Sequence, residues 1–106
     1  MDGDFDAVTG QDANHLYRIT QEAIANALRH GAAQRINVSL IRTGNDMTLS
    51  IFDDGKGFEV RSVLGETRQG LGLSSMYARA RAIAAQITFE QLSPKGFCVS
   101  VNWTLV

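Results

Sequence analysis

Three runs of this chain alternate apolar with polar residues at a period of two. They are Ile36, Val38 and Leu40; Met47, Leu49 and Ile51; and Phe97, Val99, Val101, Trp103 and Leu105. That period turns every apolar side chain of a strand to the same side, so each run buries one face. TGND (43–46) joins the first two runs. A shorter arm with Ile87 and Phe89 meets the last run through SPKG (93–96). Both pairs read as antiparallel hairpins.

Two segments follow the helical period instead. From Asn14 to His30, Leu16, Ile19, Ala23, Ile24, Ala27 and Leu28 recur at spacings of three and four. Asp12 or Asn14 is suited to cap the start of that helix, and Gly31 to close its end in the left-handed region. GLGLSSMYARARAIAA (70–85) opens with glycines and continues as a helix, with Leu73, Met76, Tyr77, Ala80, Ile83 and Ala84 as its apolar stripe. Residues 1–12 are irregular, with the tail of an edge strand around Phe5, and 58–69 show no period. The order α-β-β-loop-α-β-β predicts an α/β two-layer sandwich: a mixed, mostly antiparallel sheet with helices on one face.

The 106 residues suffice for one domain, 1–106, with a hydrophobic core of its own. Ten Lys and Arg against eleven Asp and Glu give no bulk charge to attract nucleic acid or an anionic membrane. One cysteine excludes an internal disulfide framework and fits a reducing compartment. No apolar run reaches bilayer length, and the start MDGDFDAVTG is acidic, unlike a secretory signal. A cytoplasmic domain, or the cytoplasmic part of a larger protein, is expected.

Three short stretches carry chemistry. Glu22 and Asn26 lie four apart and project from one helix face, where a carboxylate and an amide oxygen make a hard-ligand pair for a Mg²⁺ that keeps most of its waters. A solvated face, with Arg29 at the helix end favouring the dipole, accounts for the pair as simply. SIFDDGKGFEV (50–60) ends an apolar strand in two carboxylates and two glycines. Asp53 is placed to accept a hydrogen bond from an exocyclic amine, and Gly55 and Gly57 leave room for a flat ring against the backbone. A bulged turn is the plainer reading. It is not an EF-hand, because Leu49 and Ile51 occupy ligand positions; nor a Walker loop, because Gly57 follows Lys56; nor a dinucleotide fingerprint, because Val60 stands where a third glycine belongs. GLGL (70–73) opens a helix, whose free N–H groups favour an anion. Together the three describe a Mg·ATP site without a Walker loop.

The same stretches carry a family resemblance. QEAIANALRH (21–30), DDGKG (53–57) and GLGL (70–73) resemble the N, G1 and G2 boxes of the histidine kinase catalytic domain, within the Bergerat-fold ATPases that include gyrase, Hsp90 and MutL. LYRITQEAIANALRHG and GLGLSSMYARARAI are most similar to sensor kinases paired with LuxR/NarL-type response regulators. The resemblance implies that Asn26 coordinates Mg²⁺ and that Glu22 sits in its shell, ordering water or acting as catalytic base. It implies that Arg29 contacts phosphate and Asp53 the adenine amine, with Gly55 and Gly57 shaping that pocket. Gly70, Leu71 and Gly72 would anchor the phosphate end of a lid over Glu59–Gln69.

Some positions depart from the family pattern. Gln69 replaces a frequent His, Gly96 and Phe97 stand in place of a Gly-Thr pair, and the first strand looks truncated. Neither His15 nor His30 has the context of a phosphoacceptor. The implied function is to bind Mg·ATP and present its γ-phosphate to a histidine on a separate dimerisation and phosphoacceptor domain. The implied partners are that domain and, indirectly, the regulator; nucleic acid and direct membrane contact are not expected. An anti-sigma-type serine kinase switch or a degenerate interaction module are the alternatives.

Overall fold

The computed structural model describes residues 2–3, 10–56, 73–92 and 94–105. Along them run β1 (Asp2–Gly3), α1 (Gly10–Arg29), β2 (Ile36–Thr43), β3 (Asp46–Asp53), α2 (Leu73–Ala82), β4 (Gln86–Gln91) and β5 (Phe97–Thr104). The alternating runs become strands and pair into a five-stranded sheet of order β1-β2-β3-β5-β4. Both expected hairpins form, β2 with β3 and β4 with β5. Gly44, at φ 63, supplies the left-handed residue that a two-residue hairpin turn demands. β3 and β5 are also antiparallel, from Asp46↔Thr104 to Asp53↔Phe97. β1 alone among the described strands is parallel, pairing Asp2 with Ser39 and Gly3 with Leu40. β1 is an edge strand at Asp2–Gly3; the expected neighbourhood of Phe5 lies outside the described residues.

Register stacks the apolar faces into rows. Leu40, Leu49, Val101 and Ile87 stand side by side across four strands, and Val38, Ile51, Val99 and Phe89 form the next row. Leu16, Ile19 and Ala23 of α1 and Leu73, Met76 and Ala80 of α2 close over them in one core. Each large side chain so buried contributes about 1.5–3 kcal/mol. The opposite sheet face is mostly polar, apart from Ile41, Phe52 and Cys98: Ser50 and Ser100 hydroxyls meet at 3.4 Å, and Asn102 Nδ2 donates to Thr48 Oγ1 at 3.0 Å. This is the two-layer sandwich, with its helices on one face.

Helix details differ from expectation. α1 begins at Gly10 rather than Asn14, so Asp12 and Asn14 lie inside the helix instead of capping it. The apolar period starts only at Leu16, which hides the polar first turns. At the other end Gly31 is not the left-handed residue; Ala32 is, at φ 53. Gly31 instead sits tight against the helix, since a Cβ there would lie 3.0 Å from the Ala27 carbonyl oxygen. The last turn widens, with the Asn26 carbonyl accepting from both His30 and Gly31 N–H (2.9 and 3.1 Å) and the Ala27 carbonyl from Ala33 N–H (2.9 Å). Leu28 is exposed, on the flank of the stripe. Tyr77 is likewise half-exposed and leans on Phe89 of β4, ring centroids 6.2 Å apart. Ala84, at φ 55, lies beyond the end of α2 in the turn to β4 and is exposed.

A non-glycine residue held left-handed costs about 1–2 kcal/mol. Ala32→Gly is therefore expected to raise stability by about 0.5–1 kcal/mol, because the relief outweighs the entropy that glycine adds to the unfolded chain. Urea denaturation reads this as a higher midpoint at unchanged slope. A lower midpoint would mean that the Ala32 methyl carries packing.

Candidate functional site

The two carboxylates that end β3 face different tasks. Asp53 pairs with Ile36 on one side and Phe97 on the other, which puts its side chain on the helix-covered face at the strand's last position. Its Oδ1 accepts the Gly55 N–H at 2.8 Å, so Oδ2 is the oxygen left for a ligand. Burial raises the pKa of this carboxyl; the Gly55 N–H lowers it in part, and the charge of Asp54 raises it further. Asp54 turns the other way. Its Oδ1 accepts from the backbone N–H of Gln34 (2.8 Å) and Arg35 (2.9 Å), and its own N–H donates to the Arg35 carbonyl at 3.2 Å. The Arg35 and Gln34 donors hold its pKa below the ordinary carboxylate range against a small desolvation, with help from the charge of Lys95.

Gly55 is buried where this exit crosses the end of α1. A Cβ on it would collide with the Gly31 carbonyl, whose carbon would be 2.9 Å away, and Lys56 N–H donates to the same carbonyl at 2.8 Å. The sequence suggested a glycine that clears space for a flat ring; the structure shows one that lets two backbone segments touch. Gly96 acts alike from the β5 side. It has φ 113, and a Cβ there would lie 2.7 Å from the Asp53 carbonyl oxygen. Gln91 Nε2 bridges the two loops, donating to the Gly96 carbonyl at 3.0 Å and to the Lys56 carbonyl at 3.2 Å. Phe97, where a hydroxyl residue was looked for, is buried in the core beside Asp53.

On α1, Asn26 is the buried polar residue among those described, 3% exposed. Its Oδ1 is enclosed and accepts no hydrogen bond from a described residue, while the residue makes a further polar contact. Glu22, one turn earlier, is half-buried and pairs with Arg29 at 3.9 Å. That pair is largely solvated and worth about 0–1 kcal/mol. Glu22 and Arg29 line a cleft of about 330 Å³ between α1 and α2. No group of three or more His, Cys, Asp or Glu gathers among the described residues.

Asp53, Gly55 and the end of the helix that carries Glu22, Asn26 and Arg29 are thus brought together through Gly31. Gly57, Gly70, Leu71 and Gly72, with the lid over 59–69, lie outside the described residues. Sequence reasoning missed Asp54, Gln91 and the closeness of Gly31 and Gly96 to their neighbours. The doubled acid was the available signal for Asp54; nothing local marks Gln91.

A family model described as histidine kinase-, DNA gyrase B-, and HSP90-like ATPase matches residues 11–106. The chain belongs to this family. Sensor protein VraS of Staphylococcus aureus (strain COL) is 39% identical over 89 residues, 84% of this chain, and VraS of Staphylococcus epidermidis is 38% identical over 99 residues, 93% of it. The chain spans 25% and 27% of the length of those relatives. The fold is also that of the ATP binding domain of PrrB from Mycobacterium tuberculosis, with a TM-score of 0.75 at 21% identity over 89% of this chain and 69% of that one. The blue-light activated histidine kinase EL346 of Erythrobacter litoralis gives 0.79 at 18% over 99% of this chain and 34% of that one. As a family member the chain has an ATP-binding fold, built here as the sandwich described above.

Asp54 gives this fold an acid-sensitive latch. Because its folded pKa is lowered, its contribution is present above the ordinary carboxylate range and is lost as pH falls through the folded value. Asp54→Ala is expected to speed amide exchange at Gln34 and Arg35 and to flatten the acid limb of a stability–pH profile. Unchanged exchange at both amides would remove the latch.

Proposed function

We propose that this domain binds Mg·ATP and presents the γ-phosphate to a histidine on the dimerisation and phosphoacceptor domain of a two-component sensor kinase. The observation that supports it most is Asp53. This carboxylate is pushed up in pKa by burial, held through one oxygen, and fixed on the covered face at the junction of β3, β5 and the end of α1. A group in that state gains from a donor such as the adenine amine. Gly55 keeps the strand exit against α1, so the adenine contact and the helix face of Glu22 and Asn26 move as one unit.

Asn26 and Glu22 offer one amide and one carboxylate oxygen, a donor set that suits a Mg²⁺ retaining water and bound partly by substrate phosphates. The metal would supply charge neutralisation on those phosphates. Glu22 would order a water or take a proton from the incoming imidazole, and Arg29 would swing from Glu22 to a phosphate oxygen. Gly57, Gly70, Leu71 and Gly72 enter on the sequence resemblance alone, as anchors of the pocket and lid. The catalytic contribution is positional, since the site holds a reactive phosphate where a nucleophile can meet it. The downstream partner would be a LuxR/NarL-type response regulator, and the compartment the cytoplasm. No described helix is long and apolar enough to cross a membrane.

Calorimetric titration with Mg²⁺ and a non-hydrolysable ATP analogue, wild type beside Asp53→Asn, tests this reading. A charge-assisted bond contributes about 1.5–3 kcal/mol, so the variant is expected to lose at least about tenfold in affinity. Its fold should not suffer. A carboxyl whose folded pKa is raised costs stability as pH climbs past its unfolded value, and the neutral amide removes that cost. At neutral pH the denaturation midpoint of Asp53→Asn should equal or exceed the wild type's. A wild type that binds no nucleotide, or a variant that binds equally well, would overturn the assignment.

A further inference from the structure

The cleft between α1 and α2 carries more positive charge than the nucleotide reading uses. Arg18 and Arg29 rim it from α1 and Arg79 from α2, over a floor of Ala25 and Met76. Among the described residues Glu22 is the one carboxylate in its lining, and its partner is Arg29. Among the described residues no carboxylate lies within ion-pair distance of Arg18 or Arg79. Arg79 is held in place from behind: its Nη1 lies 3.5 Å from His15 Nδ1. An arginine can only donate, so that ring nitrogen is the acceptor. An exposed Arg18 and a half-buried Arg79 thus line a groove whose base is apolar.

We infer that this cleft is the docking seat for an acidic segment of the phosphoacceptor partner. The proposal rests on the functional reading above. Charge complementarity selects the occupant. Guanidinium forks recognise carboxylates in two-bonded geometry, and an excess of two arginines over the Glu22–Arg29 pair favours a segment with at least two acidic side chains. Size agrees, because about 330 Å³ accommodates a few side chains of a helix laid along the groove. Position gives the seat its purpose. Glu22 and Arg29 line both the cleft and the proposed phosphate end, so a segment seated on Arg18 and Arg79 brings its neighbouring residues against the γ-phosphate. The nucleotide is the less suitable occupant, because neither Asp53 nor Gly55 borders the cleft.

The test uses a full-length sensor kinase bearing this domain, with Arg18→Glu and Arg79→Glu combined. Nucleotide affinity, read by titration with the ATP analogue, is expected to stay within about twofold of wild type, which also reports an intact fold. Phosphate incorporation into the kinase histidine at saturating ATP is expected to fall more than tenfold. Arg18→Lys with Arg79→Lys should restore most of it. Raising ionic strength should slow incorporation in the wild type and lose that effect in the reversed variant. Normal incorporation in a variant that still binds ATP would overturn the seat alone. A tenfold loss of nucleotide affinity would also overturn it, by assigning the cleft to the nucleotide. A wild-type kinase that binds no ATP would overturn the functional reading and the seat with it.

Discussion

The Gly31 carbonyl is the point at which helix and sheet are fastened. It takes the Lys56 N–H at 2.8 Å and leaves no room for a side chain on Gly55. Through it the strand that ends in Asp53 is tied to the helix that carries Asn26. Asp54 reinforces the junction from the loop before β2, and Gln91 reinforces it from the edge strand. The candidate site therefore inherits the rigidity of the sheet although its residues come from separate elements. Loosening any one of these contacts would leave every side chain present and the spacing between them undefined.

Two adjacent aspartates show how one local environment divides labour. Asp54 accepts two backbone donors and lowers its pKa, so its ionised form favours the folded state. Asp53 is pushed upward by burial, so its ionised form works against the folded state. The residue that opposes folding is the one proposed to meet the adenine, the pattern expected where function rather than stability chooses the side chain.

The strands were legible because a strict period of two arises in few settings besides a half-buried sheet, and the two hairpins because a turn joins each pair. The helix limits were not, because the first turns of α1 carry no large apolar residue and the last turn is shaped by Gly31 meeting a segment two strands away in the chain. Leu28 and Tyr77 were misjudged for a related reason: a helix on a two-layer sheet buries a narrow stripe, and residues at its margin follow their neighbours, not their hydropathy. At the site, Asp53, Asn26 and Glu22 were readable as residue types at a chemically sensible spacing. The contact of Gly55 with the Gly31 carbonyl was not legible, because a sequence names a residue without naming what it touches.

The antiparallel register of β3 and β5 unites residues 50 positions apart, as at Ser50 and Ser100. Once that pair has formed and α2 has packed into the core, the chain between β3 and α2 is a closed span whose entropic cost grows only with the logarithm of its length, about 0.6 kcal/mol for each doubling. Insertions there tax folding lightly, whereas one extra residue in β3 or β5 would reverse every inward side chain. The length of that span can thus vary freely in evolution while the sheet stays locked in phase.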